Sequence, residues 1–260
     1  MNGGSLTVVG SGILVVAQVT REARLAIEQA DKVLYAADPV TARWLHRLHP
    51  DAESLDWLAD TGQARIVTYR KSVERILAEV RLGRHVCAVY YGHPGVLVYA
   101  THEAIRQARR EGYPARMLAG ISAEDCLFAD LGLDPGRCGR QGFEATDFLV
   151  RNRIFDPTVP LVLWQVGSIG ELGYEPAANL AGLAVLVETL APVYGADHRV
   201  CLYLAAQFPV CRPEITRVPL GRIAEAPINP YSTLYVPPRG RAAPDLDLAR
   251  RLGIGPECLL

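Results

Sequence analysis

The first 120 residues alternate short β-branched runs with amphipathic helical stretches, and this alternation restricts the fold more than any other feature. It is typical of βαβ units, in which crossover helices join parallel strands. We predict strands at residues 5–9, 32–36, 85–91 and 115–118, and a long helix over residues 68–82. The run 85–91 is almost entirely apolar, which favours a central position in a parallel sheet.

The second half has more consecutive strands and fewer helices. Strand candidates lie at residues 161–166, 199–205, 214–219 and 232–236, and helix candidates at 180–190 and 245–252. Ser122 and Asp125 form a capping-box pattern that opens a helix ending near residue 131. The succession of strands with few helices between them predicts a mixed or antiparallel sheet. We therefore expect an N-terminal α/β domain at residues 1–120 and a C-terminal α/β domain at residues 121–260.

Charge and cysteine content exclude several classes of function. The 27 basic and 28 acidic residues give a net charge of −1 without a block of like charge, so no surface for nucleic acid or an anionic membrane is predicted. The six cysteines form no C-x-x-C pair, which argues against a metal site and favours a reducing cytoplasm. No basic residue precedes the apolar stretch 6–19, and no stretch reaches the length of a membrane span, so neither a signal peptide nor an anchor is predicted.

Two glycine-containing segments follow predicted strands. Gly10-Ser11-Gly12 could form a backbone nest for a phosphate or carboxylate, but position 15 is Val15 rather than the third glycine of a dinucleotide fingerprint. A tight turn explains this segment equally well. The segment 91–95, which reads YGHPG, lies at the carboxyl end of the buried strand, where open α/β sheets bind ligands. An aromatic ring and an imidazole at that position favour a functional loop.

Arg65 and Tyr69 are four residues apart, so they share a helix face if the helix begins one turn earlier than residue 68. A guanidinium beside a phenol lowers its pKa from about 10. From spacing alone, a solvated arginine packing on a tyrosine is the favoured interpretation. His46 and His49 are expected on a helix surface, and no Ser/His/Asp or Cys/His arrangement is legible.

Five segments together resemble a known family: residues 4–12 (GSLTVVGSG), 91–96 (YGHPGV), 120–126 (GISAEDC), 163–167 (LWQVG) and 232–238 (STLYVPP). The chain resembles the tetrapyrrole methylase-like (class III) S-adenosylmethionine-dependent methyltransferases, and within them the borosin-type peptide backbone α-N-methyltransferases. The resemblance implies an α/β fold of two αβα subdomains with the cofactor site in the cleft between them. It also implies S-adenosyl-L-methionine as cofactor and S-adenosyl-L-homocysteine as product.

The resemblance also assigns residues. It implies a catalytic function for Arg65, Tyr69 and Tyr91, which reverses the interpretation drawn from spacing alone. Tyr69, assisted by Arg65, would deprotonate the substrate amide. The implied cofactor contacts are Tyr91, His93, Val96, Ser122, Ala123, Gln165, Ala205, Ser232, Thr233 and Gly10. No metal ligand is implied.

Three departures from the family pattern bear on the substrate. The first loop lacks the G-x-G-P-G-D continuation of tetrapyrrole enzymes, and residues 56–59 read DWLA where the family has a tyrosine-rich stretch. The chain ends at Leu260 without the fused precursor of the fungal members. The first departure counts against a tetrapyrrole substrate, and the second means that any auxiliary tyrosine is missing or lies elsewhere. The third implies a discrete enzyme that methylates a separate ribosomally made precursor peptide, in the cytoplasm that the cysteines favour. We expect a homodimer with two precursors, as a heterotetramer. The alternatives are C-methylation of a tetrapyrrole or other small acceptor, and an inactive module that binds peptide and cofactor.

Overall fold

The protein is described by a computed structural model that covers residues 3–56 and 63–255. The chain divides into two compact units. The first comprises Met1–Asp134, Gly170–Pro176 and Tyr203–Ile215, and the second comprises Pro135–Ile169, Ala177–Leu202 and Thr216–Leu260. In the part of the chain that is described, no helix is long and apolar enough to cross a membrane.

The first unit contains a five-stranded parallel sheet in the order β3-β2-β4-β1-β5. Its elements are β1 (Ser5–Gly10), α1 (Arg21–Glu28), β2 (Lys32–Ala36), α2 (Pro39–Leu48), β3 (Glu53–Ser54), α3 (Arg65–Arg81), β4 (His85–Tyr90), α4 (Tyr99–Arg110), β5 (Ala115–Met117) and α5 (Ala123–Leu131). The predicted parallel sheet is confirmed, and the apolar strand β4 lies near its centre. Helices α3 and α4 cover one face of the sheet, and α1 and α2 cover the other.

Short polar side chains fix the starts of several helices. The Thr20 hydroxyl accepts from the amide of Ala23 at the start of α1, and Asp38 caps α2. Ser122 and Asp125 form the predicted capping box of α5. Because these caps are local in sequence, the corresponding helix starts are readable from the chain itself.

The second sheet is mixed and five-stranded, in the order β6-β7-β10-β8-β9, and most of it belongs to the second unit. The last two residues of β8 and the first two of β9 belong to the first unit. The elements of this part of the chain are β6 (Gln141–Glu144), α6 (Ala145–Val150), β7 (Leu161–Trp164), α7 (Leu180–Tyr194), β8 (Arg199–Leu204), β9 (Glu214–Pro219), β10 (Thr233–Val236) and α8 (Leu246–Arg251). Strand β7 is parallel to β6 and antiparallel to β10, so the predicted mixed sheet is confirmed.

Several predicted boundaries differ from the structure. Helix α3 begins at Arg65 rather than at residue 68, and β7 ends at Trp164 because Gln165 adopts a positive φ of 58°. Strands β3 and β6 and helix α6 were not predicted. Strand β3 has only two residues, and β6 contains a glycine and two polar residues, so neither carries a strong strand pattern.

The first unit extends beyond the predicted domain boundary at residue 120 and includes α5. Side-chain contacts explain this difference. The Tyr203 hydroxyl donates to the Asp130 carboxylate at 2.7 Å, and the Gln18 amide lies 3.5 Å from the Cys126 sulfur. These contacts tie α5 to the first unit, although the composition of the sequence changes before α5 begins.

Candidate functional site

Two loops of the first unit meet where adjacent strands β1 and β4 end. Gly10 pairs with Tyr90 in the parallel register, and beyond it Gly12 and Gly92 form an isolated antiparallel bridge. The Gly92 amide donates to the Gly12 carbonyl at 3.0 Å, and the Ser11 amide donates to the Tyr90 carbonyl at 2.8 Å. A Cβ atom at Gly10 would lie 2.1 Å from the Gly92 carbonyl oxygen, so only glycine permits this approach.

The first loop is not the open anion nest considered from its sequence. The amides of Ile13 and Leu14 donate to the Gln18 side-chain oxygen at 2.9 and 2.8 Å. The amides of Ser11 and Gly12 are bonded to the neighbouring loop. Because these donors are already satisfied, the tight-turn interpretation explains the segment, and the contact of Gly10 with a cofactor stays a prediction.

The loop after β4 is held by hydrogen bonds at its own imidazole and at the start of α4. His93 accepts from the Gly95 amide through Nδ1 at 2.9 Å, so the neutral ring carries its proton on Nε2. The Thr101 hydroxyl donates to the Pro94 carbonyl at 2.5 Å, and the His102 ring lies 2.9 Å from the Gly95 carbonyl oxygen. The loop is therefore preorganised and leaves the His93 Nε2–H as a donor.

Tyr91 is a neutral phenol. Its residue is 37% exposed, yet desolvation around the hydroxyl raises the pKa of Tyr91 to about 12, and a hydrogen bond with the Gln207 side chain offsets part of the rise. At neutral pH the group can donate a hydrogen bond but cannot act as a base. Sequence reasoning missed Gln207, because a glutamine in a distant loop carries no motif. The Gln207 carbonyl also accepts from the Val15 amide at 2.8 Å.

Arg65 and Tyr69 lie one turn apart on α3, because the helix begins at Arg65. The Arg65 Nε donates to the Gly173 carbonyl at 2.5 Å, and the guanidinium carbon lies 5.7 Å from the centre of the Tyr174 ring. This distance is within the range of a cation–π contact. The Arg65 amide donates to the Leu172 carbonyl at 2.8 Å. The segment Gly170–Pro176 therefore fixes the position of Arg65, and the sequence carries no signal of this.

Tyr69 is half-buried and packs against the core beneath α3 and α4. Its ring lies 6.2 Å from the ring of Tyr99, centre to centre, at an angle of 30°. Exposed apolar and aromatic residues lie beside the two predicted catalytic residues, either next to them in sequence or in contact with them: Ile66, Val67, Tyr99, Leu172 and Tyr174. Aromatic side chains are thus among the contacts of both residues: Tyr174 for Arg65 and Tyr99 for Tyr69.

The second unit brings together predicted contacts from β7 and β10. The Val166 amide donates to the Ser232 carbonyl at 2.9 Å, which places Gln165 beside the start of β10. The Ser232 hydroxyl accepts from the Asn229 amide at 3.0 Å, and Ser232 and Thr233 are buried. The positive φ of Gln165 is uncommon for a residue with a side chain and is characteristic of functional sites.

The remaining predicted contacts occupy well-defined positions in the first unit. Ser122 is buried, and its hydroxyl accepts from the Asp125 amide, so this hydroxyl serves as the cap of α5. Ala123 begins that helix, Val96 is 43% exposed, and Ala205 is buried just after β8. Their contacts with a cofactor stay predictions. Of residues 56–59, only Asp56 lies within the described part of the chain.

The residues present fit a zwitterionic organic cofactor better than a metal ion. Four non-glycine residues of the described chain have positive φ. One of them, Gln165, is itself a predicted cofactor contact, and another, Leu97, directly follows the predicted contact Val96. A strained backbone at such positions is typical of ligand sites. The hydrogen-bond donors there include the His93 Nε2–H and the Tyr91 hydroxyl, whose raised pKa keeps it protonated. Among residues 3–56 and 63–255, no cluster of three or more His, Cys, Asp or Glu side chains could hold a metal ion.

The chain is similar in sequence to known proteins over most of its length. The chain is 42% identical over 255 residues to a methyltransferase/ribosomally synthesized cyclic peptide gymnopeptides precursor from Gymnopus fusipes, covering 96% of this chain and 61% of the relative. It is 41% identical over 263 residues to the corresponding omphalotin A precursor from Omphalotus olearius, covering 97% of this chain and 62% of the relative. The chain thus spans about three fifths of the length of these relatives.

Solved structures share the fold at low sequence identity. A uroporphyrin-III-C-methyltransferase from Thermus thermophilus superposes with a TM-score of 0.64 at 19% identity, covering 96% of both chains. A diphthine synthase superposes with a TM-score of 0.62 at 16% identity, covering 98% of both chains. The family model described as Tetrapyrrole (Corrin/Porphyrin) Methylases matches residues 5–159. The chain therefore belongs to the tetrapyrrole methylase family.

Proposed function

We propose that the protein is an S-adenosylmethionine-dependent methyltransferase that methylates backbone amide nitrogens of a ribosomally made precursor peptide. Two relatives of about 40% identity carry names that combine a methyltransferase with a ribosomally synthesized cyclic peptide precursor. The observation that carries the proposal is the start of α3. There Arg65 and Tyr69 share one helix face beside exposed apolar and aromatic side chains.

The reaction requires activation of a weak nucleophile. The lone pair of an amide nitrogen is delocalised into the carbonyl, which is the resonance that makes the peptide bond planar. Removal of the amide proton localises negative charge on the nitrogen and the carbonyl oxygen. The bound cofactor supplies an electrophilic sulfonium methyl group. A base for the proton and donors for the oxygen are therefore what the chain itself must provide.

The side chains of α3 and β4 match these two requirements. Tyr69, as a phenolate, accepts the amide proton, and the guanidinium of Arg65 stabilises the charge on the carbonyl oxygen. Tyr91 is kept protonated by the raised pKa of its phenol and donates a hydrogen bond at the end of β4. We assign two sets of residues to cofactor binding. The first unit contributes Gly10, the His93 Nε2–H, Val96, Ser122, Ala123 and Ala205, and the second unit contributes Gln165, Ser232 and Thr233.

Aromatic side chains beside the two predicted catalytic residues support a peptide substrate. Here Arg65 is contacted by Gly173 and Tyr174, and Tyr69 by Tyr99. Exposed aromatic rings provide contact area for the apolar side chains of a peptide at a small cost in conformational entropy.

The proposal includes a precursor supplied as a separate molecule and a cytoplasmic homodimer that binds two precursors. Exposed apolar residues on α7, Leu180 at 55% and Val185 at 49%, support burial of this helix in a subunit interface. The described cysteines are free, in agreement with a reducing compartment. Gel filtration with light scattering that found only a monomer would contradict the dimer.

Incubation of the purified protein with S-adenosylmethionine and a candidate precursor peptide tests the proposal. We expect the intact mass of the peptide to rise in methyl-sized steps, and the rise to be lost in Arg65→Ala and Tyr69→Phe. The intact mass of the protein, measured in the same sample, distinguishes methylation of a separate peptide from methylation of the chain itself. Methylation of a tetrapyrrole or another small acceptor, with no change in any peptide, would overturn the proposal.

A further inference from the structure

Three consecutive residues of one segment contact Arg65. The segment Gly170–Pro176 belongs to the first unit, although Gly173 lies 108 positions from Arg65 in sequence. The Leu172 carbonyl accepts from the Arg65 amide at 2.8 Å, and the Gly173 carbonyl accepts from the Arg65 Nε at 2.5 Å. The guanidinium carbon lies 5.7 Å from the centre of the Tyr174 ring. The segment therefore holds both the start of α3 and the side chain of its first residue.

The three contacts restrain different parts of Arg65. The bond to Leu172 holds its backbone, and the bond to Gly173 holds one edge of the guanidinium. A single hydrogen bond fixes one atom of a planar group that has five N–H donors, and it leaves the tilt of the plane unrestrained. The Tyr174 ring gives the guanidinium a second point of contact. The orientation of its terminal nitrogens therefore depends on this ring.

The groups that make these contacts are uncharged. Two carbonyl oxygens and an aromatic face attract a guanidinium without cancelling its positive charge, whereas a carboxylate partner would offset that charge. In the proposed reaction, Arg65 stabilises negative charge that develops on the carbonyl oxygen of the substrate. Donors held in place before the charge develops stabilise it best. A ring therefore suits this position better than an ion pair would.

The contact of the ring can be removed separately from the two backbone contacts. The carbonyl groups of Leu172 and Gly173 belong to the main chain, so a change of the Tyr174 side chain leaves both groups in place. Tyr174 is 40% exposed, and leucine would keep an apolar side chain there. We therefore expect the segment to stay docked on Arg65 when Tyr174 is replaced.

We propose that Tyr174 is a positioning residue for the reaction: the face of its ring holds the Arg65 guanidinium in the orientation in which the terminal nitrogens donate to the carbonyl oxygen of the substrate amide. The inference rests on the function proposed above. Because the Gly173 carbonyl occupies the Nε, the terminal nitrogens are the donors that meet the substrate. Tyr174 transfers no proton, and its ring face rather than its hydroxyl makes the contact.

The test compares Tyr174→Leu with Tyr174→Phe. Phenylalanine keeps an aromatic face beside the guanidinium and is the matched control, whereas leucine has no π face. A cation–π contact at a partly exposed site corresponds to roughly two- to ten-fold in a rate. Tyr174→Leu should therefore lower kcat for peptide methylation by roughly that factor with KM nearly unchanged, and Tyr174→Phe should stay close to the wild type. Both variants should melt at the wild-type temperature.

Nitrogen-15 magnetic resonance of the arginine side chains provides a readout that needs no substrate. The signal of the Arg65 Nε–H is identified by its loss in Arg65→Ala. The ring current of an aromatic side chain shifts the signal of a proton beside its face. Tyr174→Leu should therefore move the Arg65 signal, and Tyr174→Phe should leave it nearly in place.

The two readouts separate failure of the inference from failure of the proposed function. If the wild type methylates no peptide, the proposed function is contradicted, yet an Arg65 signal that moves only in Tyr174→Leu still supports the ring contact. A higher KM with an unchanged kcat in Tyr174→Leu would show that the ring binds the peptide itself, and it would overturn the inference. An equal loss of kcat in both variants, or an Arg65 signal that stays unchanged in Tyr174→Leu, would also overturn it.

Discussion

Substitution of Gly10 by alanine tests whether the close approach of the two loops holds the site together. The added Cβ would lie 2.1 Å from the Gly92 carbonyl oxygen and 2.8 Å from Pro94 Cδ. Contacts of this kind normally exceed 3.4 Å, so the loops must separate by more than an ångström. The atom that must move is a backbone oxygen bonded through the Gly12–Gly92 bridge, and a side-chain rotation cannot relieve the contact.

An extra carbon forced into a closely packed environment lowers the free energy of unfolding by about 1–3 kcal/mol. Because the contact is with backbone, we expect Gly10→Ala to lie near the upper end of that range. At about 2–4 °C per kcal/mol for a chain of this size, the first unit should melt roughly 6–12 °C lower than in the wild type. Differential scanning calorimetry gives the shift, and hydrogen exchange of the amides of Ser11 and Gly92 shows whether the loops separate.

Gly240→Ala is the matched control. An added Cβ there meets nothing within 4 Å, and Gly240 does not have a positive φ, so its melting temperature should stay at the wild-type value or rise slightly. A Gly10→Ala protein that melts within about one degree of the wild type, with unchanged exchange at both loops, would refute the reasoning about the close approach.

Three further predictions follow from the site and the first unit. Tyr69→Phe should lower the methylation rate by at least about 10²-fold while cofactor affinity by calorimetry stays unchanged, and a retained rate would exclude Tyr69 as the base. Gln207→Ala removes a hydrogen bond to Tyr91 and should weaken cofactor binding by about two- to ten-fold in the same assay, whereas unchanged affinity would separate Tyr91 from the cofactor. The pKa of Glu53 is lowered by its hydrogen bond from Arg75, so this carboxylate stabilises the fold above its usual range near 4.5, and the stabilisation is lost as pH falls through the lowered pKa. The melting temperature of Glu53→Gln should therefore fall less than that of the wild type between neutral and acidic pH. An equal fall in both proteins would contradict this assignment.

The parts of the fold fixed by local sequence were predictable. Strand β4 is apolar and bounded by polar residues, and the capping box at Ser122 marks the start of α5 without tertiary information. The start of α3 was not predictable, because Ala64 offers no side-chain cap. The Arg65 amide is instead satisfied by the Leu172 carbonyl, from a segment distant in sequence.

In the candidate site, too, the features set by local sequence were predictable and those set by tertiary packing were not. The loop after β4 follows a buried strand and contains two glycines and an imidazole, so its position at the end of the sheet could be inferred from the chain. Gln207 and Tyr174 could not be inferred, because their proximity to Tyr91 and Arg65 arises from tertiary packing. Tyr90 reads in sequence as an ordinary apolar strand residue, and only the packed structure shows that its hydroxyl has no hydrogen-bond partner within residues 3–56 and 63–255.

The position of the methyl group on the product tests the central claim most directly. Tandem mass spectrometry of a precursor peptide treated with the wild-type protein, and with Tyr69→Phe, localises each added methyl to a backbone or side-chain fragment. We predict methyl groups on backbone amide nitrogens with the wild type and an unmodified peptide with Tyr69→Phe. Methyl groups confined to side chains, or a peptide that stays unmodified although the protein binds the cofactor, would contradict the account.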